Sequence, residues 1–447
     1  MKLFGSSGIR GVANIEITPQ IANRLGMALA SIHEGGEVVI GRDSRVTGPM
    51  LEEALSSGLI SCGADANLVG LLPTPVIAWL TKELGADAGV SITASHNPAQ
   101  YNGFKVFNSQ GMSLLEEEQT MVEEFLQRGN SEISTWDMVG SSSEQDLSWM
   151  YIDALQMSFA FDREWKIACD LFCGATTSIA DEVFKAVGLK ANIINGHPDG
   201  HFPAGDPEPT YDSLRRLGEF VKVSGAEIGF GFDGDGDRVM VVDEKGTPVS
   251  GDRLLAAYAG HVVMLNGGGK IVTHVGASMC IDKVVEAAGG KVIRTRVGDA
   301  YIIEEMEKYK AVFGGEPIGA WVLPELNKCP DGILSSLKLL EALEDNGIML
   351  SEFVAQVPSY PTKSVKIETK NKEKVLLGID KGYEDVFGYV ESINRVDGIR
   401  LKLPEGWILM RPSGTEPVIR LTAEGVDEKS TDSLIERGKR LIKENID

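Results

Sequence analysis

The stretch "WKIACDLFCGATTSIADEVFKAVG" (residues 165–188) decides the fold: it reads as a short apolar strand, a glycine turn and a helix. The same rhythm stands at "GKIVTHVGASMCIDKVVEAAGG" (269–290). Towards the N-terminus, "GEVVIGRDSR" (36–45) is a strand running into a loop, "PMLEEALSSGLISCGA" (49–64) has helical spacing, and "DANLVGLLPTPV" (65–76) returns to strand. Alternation of this kind predicts an α/β chain whose parallel or mixed sheets are covered by helices. The three blocks are not strict repeats, yet each has the length of one domain and suits one architecture used three times.

Two breaks divide the chain. "NSEISTWDMVGSSSEQD" (130–146) is polar and closes the first block, and "VPSYPTKSVKI" (357–367) carries two prolines ahead of a segment with a different rhythm. That segment holds strand-like "GIRLKLPEGWILMRPS" and "PVIRLTAEG", then one helix from Ser430 to Glu444, a small α+β module. With each of the three strand–helix blocks taken as one domain ahead of this module, the division is 1–142, 143–246, 247–357 and 358–447, three similar α/β/α domains with mixed sheets and a smaller C-terminal one.

Bulk properties narrow the function. A chain of 447 residues is too long for one core. It contains no run of about 18 apolar residues to span a membrane, and "MKLFGSSGIRG" lacks the apolar centre of a signal peptide. Five cysteines (62, 169, 173, 280, 329) are an odd number without redox spacing, which suits reduced thiols in the cytoplasm. The net charge of −22 argues against a nucleic-acid partner. It also means that phosphate chemistry must gather its cations locally, so arginines and lysines beside glycines become informative.

Five stretches carry that information. In "SITASHNP" (91–98), the apolar run Ala88–Ile92 is a buried strand and Ser95 sits where it gives way to a loop, either as a turn residue or as a reacting group. In "GFDGDGDR" (231–238), Asp233, Asp235 and Asp237 alternate with glycines, so one loop turns three carboxylates towards a hard cation, Mg2+ or Ca2+ rather than zinc. An EF-hand competes, with Glu244 at its twelfth position, but Arg238 stands at the sixth where glycine is needed and "VMVVD" continues as a strand. "RPSGTEP" (411–417), followed by Arg420, joins Arg411, the hydroxyls of Ser413 and Thr415 and the amides around Gly414 into an anion cradle. "GGEPIGAW" (314–321) presents Glu316 to hydroxyl donors, and "SSGIRG" (6–11) sets Arg10 among glycines.

Together these strings, with "YNGFK" after the serine loop, resemble the α-D-phosphohexomutase superfamily along the whole chain and in the family's order. The segment "GHPDGHFPAGDPEP" (196–209) is similar to the family's passage through its second domain, which makes His197 and His201 loop residues rather than metal ligands. The resemblance implies four domains around a central cleft. Ser95 would carry a phosphoryl group, and Mg2+ would be held by Asp233, Asp235, Asp237 and a Ser95 phosphate oxygen. Arg10 and Arg238 would supply positive charge, and Lys105 would serve as general acid/base. His96 would orient the phosphate, assist proton transfer or serve structure alone. Glu316 would bind the sugar, and Arg411, Ser413, Gly414, Thr415 and Arg420 the phosphate that is not reacting.

The implied reaction passes through a hexose 1,6-bisphosphate, which also acts as activator, and the implied assembly is a homodimer through the first domain. Ile318 and Ala320 stand where many members carry a serine and a histidine, and "VGDAYI" (297–302) looks like the archaeal-type phosphoglucosamine mutases. The substrate implied is glucosamine 6-phosphate, converted to glucosamine 1-phosphate; phosphomannomutase/phosphoglucomutase activity or mixed hexose-phosphate specificity is the alternative. A metal-dependent phosphatase and a non-catalytic sugar-phosphate sensor are the readings from other classes.

Overall fold

In the computed structural model, which describes residues 3–5, 8–128, 133–413 and 416–446, the chain divides into two compact units. One comprises Met1–Gly251 with Phe313–Val354, the other Asp252–Val312 with Ala355–Asp447. In the first unit, β1 (Ile9–Val12), β2 (Glu37–Arg42), β3 (Asp65–Leu71), β4 (Ala88–Ile92), β5 (Tyr101–Asn108) and β6 (Ser142–Glu144) form a sheet in the order β1-β5-β4-β2-β3-β6. β2 pairs in parallel with β3 and β4, whereas β5 runs antiparallel to β4 and to β1. Every residue of β4 is buried, as the apolar run predicts. The helices Pro19–Ile32 and Gly48–Ser61 cross closely because each offers a glycine: a Cβ on Gly58 would lie 2.0 Å from the Asn23 carbonyl oxygen.

A second mixed sheet follows in the same unit. β7 (Lys166–Asp170), β8 (Lys190–Ile194), β9 (Ile228–Phe232) and β10 (Val239–Val242) lie in the order β10-β9-β7-β8, with β10 antiparallel to β9. β9 is buried throughout, and it hands the chain directly to the acidic loop. The loops after β4 and after β9 thus leave the carboxyl ends of inner strands, where α/β folds place their ligands.

β11 (Gly269–His274) and β12 (Gly290–Thr295) pair in parallel in the second unit, and β13 (Phe313–Gly315) with β14 (Trp321–Val322) forms a hairpin in the first. The C-terminal part is a fully antiparallel sheet of β15 (Thr362–Glu368), β16 (Ser392–Asn394), β17 (Ile399–Leu403), β18 (Gly406–Pro412) and β19 (Val418–Gly425), ordered β15-β19-β18-β17-β16. This part holds more than the sequence reading gave it. β15 and a helix at Lys372–Phe387 precede the hairpins, and the last helix begins at Glu428, two residues early, because the Asp427 side chain caps it by accepting from the Ser430 amide at 2.7 Å. The added helix buries Val375, Ile379, Tyr383 and Phe387, one residue per turn, with Leu376 and Val386 packed against the same core, while Gly378, Gly382 and the exposed Leu377 blur the stripe in the sequence. No helix among the described residues is long and apolar enough to cross a membrane.

Gly103, in β5 opposite Arg10, has no room for a side chain: a Cβ would stand 2.1 Å from the Ile9 carbonyl oxygen and 2.9 Å from that of Thr93. Gly103→Ala should therefore destabilise the first unit by about 1–3 kcal/mol, read as a lower midpoint in thermal or urea unfolding. An unchanged midpoint would contradict the close strand contact.

Candidate active site

The serine loop is held by its own backbone and neighbours. Ser95 takes a left-handed conformation (φ 49°), its amide donates to the Thr93 hydroxyl at 2.8 Å, and its side chain is fully buried. The Ser95 hydroxyl donates to Asp233 Oδ2 at 2.7 Å and lies 3.2 Å from His96 Nδ1. Burial, then the charges of Arg238 and Arg10, lower the His96 pKa to about 3, so its ring faces the serine uncharged.

The acidic loop is tied down residue by residue. The Asp235 carbonyl accepts from the Thr74 amide, the Gly234 carbonyl from Ala175, and the Gly236 carbonyl from Gly332, each within 3.0 Å. A Cβ on Gly234 would meet the Ser95 carbonyl oxygen at 2.5 Å, so glycine here is what lets the two loops touch. The carboxylates of Asp233, Asp235 and Asp237 are buried, with one oxygen of each within 4.8 Å of the others.

Lys105 reaches this group from β5, where it pairs with Ser91 of β4. Its Nζ donates to Asp235 Oδ2 at 2.7 Å and to Asp237 Oδ2. The Thr74 hydroxyl also donates to Asp235 Oδ2, at 2.7 Å. Burial raises the pKa of Asp233, and the charges of Asp237 and Asp235 raise it further; Asp237 is raised by burial and then by Asp235. Burial pushes Asp235 the same way, but the charge and hydrogen bond of Lys105, with Thr74, outweigh it and hold that carboxyl low.

These aspartates fit a hard divalent cation. Asp235 Oδ1 and Asp237 Oδ1 are buried with no hydrogen-bond partner among the described residues, and the mutual repulsion that raises Asp233 and Asp237 is what a cation relieves.

Positive charge gathers around this core. Arg238 is nearly buried, its Nε 3.7 Å from Asp237 Oδ1; burial would lower its pKa, but Asp237, Asp233 and Glu316 together raise it. Arg10 Nη1 donates to Asn97 Oδ1 at 3.3 Å, which sets it beside the serine loop. Glu316 is buried in the turn between β13 and β14: its amide donates to the Ala320 carbonyl at 2.9 Å, and the Gly319 carbonyl accepts from the Val239 amide of β10. Ala320 is buried and Ile318 exposed.

Ser95, His96, Lys105, Arg10, the three aspartates, Arg238 and Glu316 thus belong to the first unit. Arg411, Ser413 and Arg420 belong to the second, and Gly414 and Thr415, like Ser6 and Ser7 of "SSGIRG", lie outside the described residues. Arg411 of β18 faces Arg420 of β19, with Arg411 Nε 2.9 Å from Asp397 and Arg420 Nη2 3.1 Å from Glu416. The Ser413 hydroxyl accepts from the Glu416 amide at 3.2 Å, and the Ser413 carbonyl from Lys372 Nζ at 2.6 Å.

Sequence reasoning missed Lys372, which the unrecognised helix delivers, and Thr74, whose link to Asp235 spans 161 residues. It also passed over Arg45, visible in "GRDSR" only as a charge at a strand end and fully buried here. His201 pairs with Asp199 at 3.1 Å on the surface, and the aspartate triad is the only group of three or more metal-capable acidic, His or Cys side chains among the described residues.

Comparison with known proteins matches four models along the chain. They are phosphoglucomutase/phosphomannomutase alpha/beta/alpha domain I over residues 1–132, domain II over 150–246 and domain III over 250–360, and the C-terminal domain over 365–438. These are the three α/β/α domains and C-terminal domain that the resemblance implied. A protein of Methanothermobacter thermautotrophicus named "Probable phosphoglucosamine mutase" is 39% identical over 450 residues, covering 100% of this chain and 98% of that protein. One of the same name from Methanococcoides burtonii is 40% identical, covering 99% of each chain. Among solved structures, a phosphoglucomutase/phosphomannomutase family protein from Burkholderia thailandensis superposes with a TM-score of 0.88 at 28% identity, covering 99% of this chain and 97% of the other. The N-acetylphosphoglucosamine mutase of Aspergillus fumigatus, solved with GlcNAc-6P and magnesium, shares the fold at a TM-score of 0.67 and 14% identity, covering 100% of this chain and 96% of that one.

A cation in the aspartate triad stabilises the folded chain by mass action, by about 2.7 kcal/mol at a hundred times its Kd. Millimolar Mg2+ should raise the unfolding temperature of the wild type and leave that of Asp235→Asn nearly unmoved. Equal shifts in both proteins would rule the triad out as the site.

Proposed function

This chain belongs to the phosphoglucomutase/phosphomannomutase family, an enzyme family that moves a phosphoryl group within its substrate, and from that premise we propose that it interconverts glucosamine 6-phosphate and glucosamine 1-phosphate. The observation that carries the reading is the Ser95 hydroxyl, 2.7 Å from an aspartate of a buried three-carboxylate group that Lys105 also enters. The names of the full-length relatives support the amino sugar.

In the proposed cycle, phosphorylated Ser95 donates to the free hydroxyl of the hexose monophosphate. The bond from phosphorus to Ser95 Oγ breaks as the bond to the sugar oxygen forms, and Lys105 receives the hydroxyl proton. The bisphosphate turns round, Ser95 accepts the other phosphoryl group, and Lys105 returns the proton. Asp233, Asp235 and Asp237 would hold Mg2+ with a phosphate oxygen on Ser95; the ion supplies charge neutralisation for the transferring group. Arg10 and Arg238 add fixed positive charge, and His96, whose Nδ1 lies 3.2 Å from the Ser95 hydroxyl, orients the phosphate or assists proton transfer.

Glu316 receives sugar hydroxyls. Arg411, Ser413, Gly414, Thr415 and Arg420 bind the non-reacting phosphate, with Lys372 fixing the Ser413 carbonyl. A hexose 1,6-bisphosphate would prime Ser95, and the enzyme would work in the cytoplasm, as a homodimer.

Ile318 and Ala320 favour a second reading, mixed action on hexose phosphates, because an apolar sugar loop separates near-isosteres weakly.

Two measurements test this. Glucosamine, glucose, mannose and N-acetylglucosamine phosphates, assayed with Mg2+ and bisphosphate, should give the highest kcat/KM for the glucosamine ester; a preference for mannose or glucose would replace the substrate assignment. Ser95→Ala should lose about 10³-fold or more in kcat, while Arg411→Ala should act chiefly by raising KM about ten-fold or more. A Ser95→Ala enzyme of unchanged rate would end the phosphoserine mechanism.

A further inference from the structure

Arg45, which lies outside the residues assigned above, has every donor of its side chain engaged. Its guanidinium offers five N–H donors in a fixed plane, and each is taken. Nε donates to Asp43 Oδ2 at 2.9 Å. Nη1 donates to the carbonyls of Pro98 at 2.7 Å and Tyr101 at 2.8 Å. Nη2 donates to those of Ser95 at 2.8 Å and Asn97 at 2.6 Å. Three carbonyls of the serine loop and that of Tyr101 at the start of β5 therefore point at one buried guanidinium. Asp43 in turn accepts from the Thr93 hydroxyl at 2.7 Å, and that hydroxyl accepts the Ser95 amide. Ser95 is held from both sides, its carbonyl by Arg45 and its amide through Thr93 and Asp43.

The segment 196–209 closes over this arrangement. The Phe202 ring lies 5.1 Å from the Arg45 guanidinium carbon. A Cβ on Gly200 would meet the Ser44 carbonyl oxygen at 2.4 Å, so the segment rests directly on the "DSR" backbone. Further along, the Pro207 carbonyl accepts from the Gly234 amide at 3.1 Å, and Pro207 packs at 3.1 Å from where a Gly234 Cβ would stand. One stretch of chain thus touches the support of the serine loop at one end and the aspartate loop at the other.

We propose that Arg45 is a positioning residue for phosphoryl transfer: with Asp43, Thr93 and the Phe202 segment it fixes the left-handed Ser95 against the aspartate loop and, through Asn97, aligns Arg10. Asn97 makes this second link because its carbonyl is bound by Arg45 while its side chain accepts from Arg10. The proposal rests on Ser95 being the phosphoryl carrier. Arg45 donates to backbone carbonyls and Asp43, so its loss moves the reacting oxygen without removing a substrate contact, and a misplacement of 1 Å costs about a hundredfold in rate.

The test compares wild type, Arg45→Lys and Thr93→Val. Lysine keeps the charge but brings three donors on a single nitrogen, which cannot serve four carbonyls and Asp43. Arg45→Lys should lose roughly a hundredfold in kcat with KM for the hexose phosphate within about threefold, and should take up less phosphate on Ser95 from a hexose 1,6-bisphosphate, read by intact mass. A folded Arg45→Lys enzyme with wild-type kcat overturns the proposal, as does one whose whole defect lies in KM. If Arg45→Lys does not fold, the near-isosteric Thr93→Val decides: a kcat lowered about ten-fold or more at an unchanged melting temperature supports the clamp, and an unchanged kcat overturns it. Wild-type protein that never takes up phosphate would instead sink the phosphoserine reading itself, so the two failures are distinct.

Discussion

Three carboxylates withdrawn from water within a few ångströms of one another are the constraint around which the first unit is built. Like charges at such separation, in a medium that screens them poorly, repel strongly enough that the site must supply compensation or bind protons. Lys105 supplies part of it, which is why Asp235 stays ionised while Asp233 and Asp237 are pushed up. Arg238 supplies more from the following residue. What remains is a demand for positive charge among buried carboxylate oxygens, which a divalent ion would meet.

The demand also explains how firmly the surroundings are made. A cluster with this much stored repulsion opens unless its backbone is fixed, and here the carbonyls of Gly234, Asp235 and Gly236 are taken by amides from three different stretches of the unit. Glycine supplies the close approaches: Gly234 against Ser95 and Gly103 against Ile9 leave no space for a methyl group. Donors and acceptors set in advance cost nothing to reorganise when charge moves during a reaction. Ser95 in its left-handed conformation fits the same logic, since an uncommon backbone angle persists only where its neighbours over-determine it.

Much of this was legible in the chain because the reacting groups come in short strings. "DGDGDR" brings three carboxylates in five residues, and "SITASHNP" places Ser95 just beyond an apolar run that proved to be the buried β4. The α/β rhythm was equally plain, since strands buried on both faces read as unbroken apolar runs. What could not be read were partners separated by long stretches of chain. Thr74 and Asp235, or Arg45 and the Tyr101 carbonyl, leave no local pattern, and a buried arginine looks in sequence like any surface charge. The helix Lys372–Phe387 is hard to read for a different reason: Gly378, Gly382 and the exposed Leu377 interrupt its apolar stripe, so the 3.6-residue period shows only when counted deliberately.

The same separation of scales resolves the conflict between an acidic protein and a phosphorylated substrate. A net charge of −22 spread over the surface acts at long range and is screened within about 10 Å at ordinary ionic strength. The cations that matter, Arg10, Lys105 and Arg238, lie among buried groups where salt screens little, and they are oriented by carboxylates and amide oxygens rather than left to the solvent. Surface charge therefore governs how often a hexose phosphate approaches, and the buried cluster governs what happens to it on arrival. An acidic exterior costs some encounter rate and leaves the proposed chemistry untouched, because the positive field is assembled locally, at the site where phosphoryl transfer is proposed.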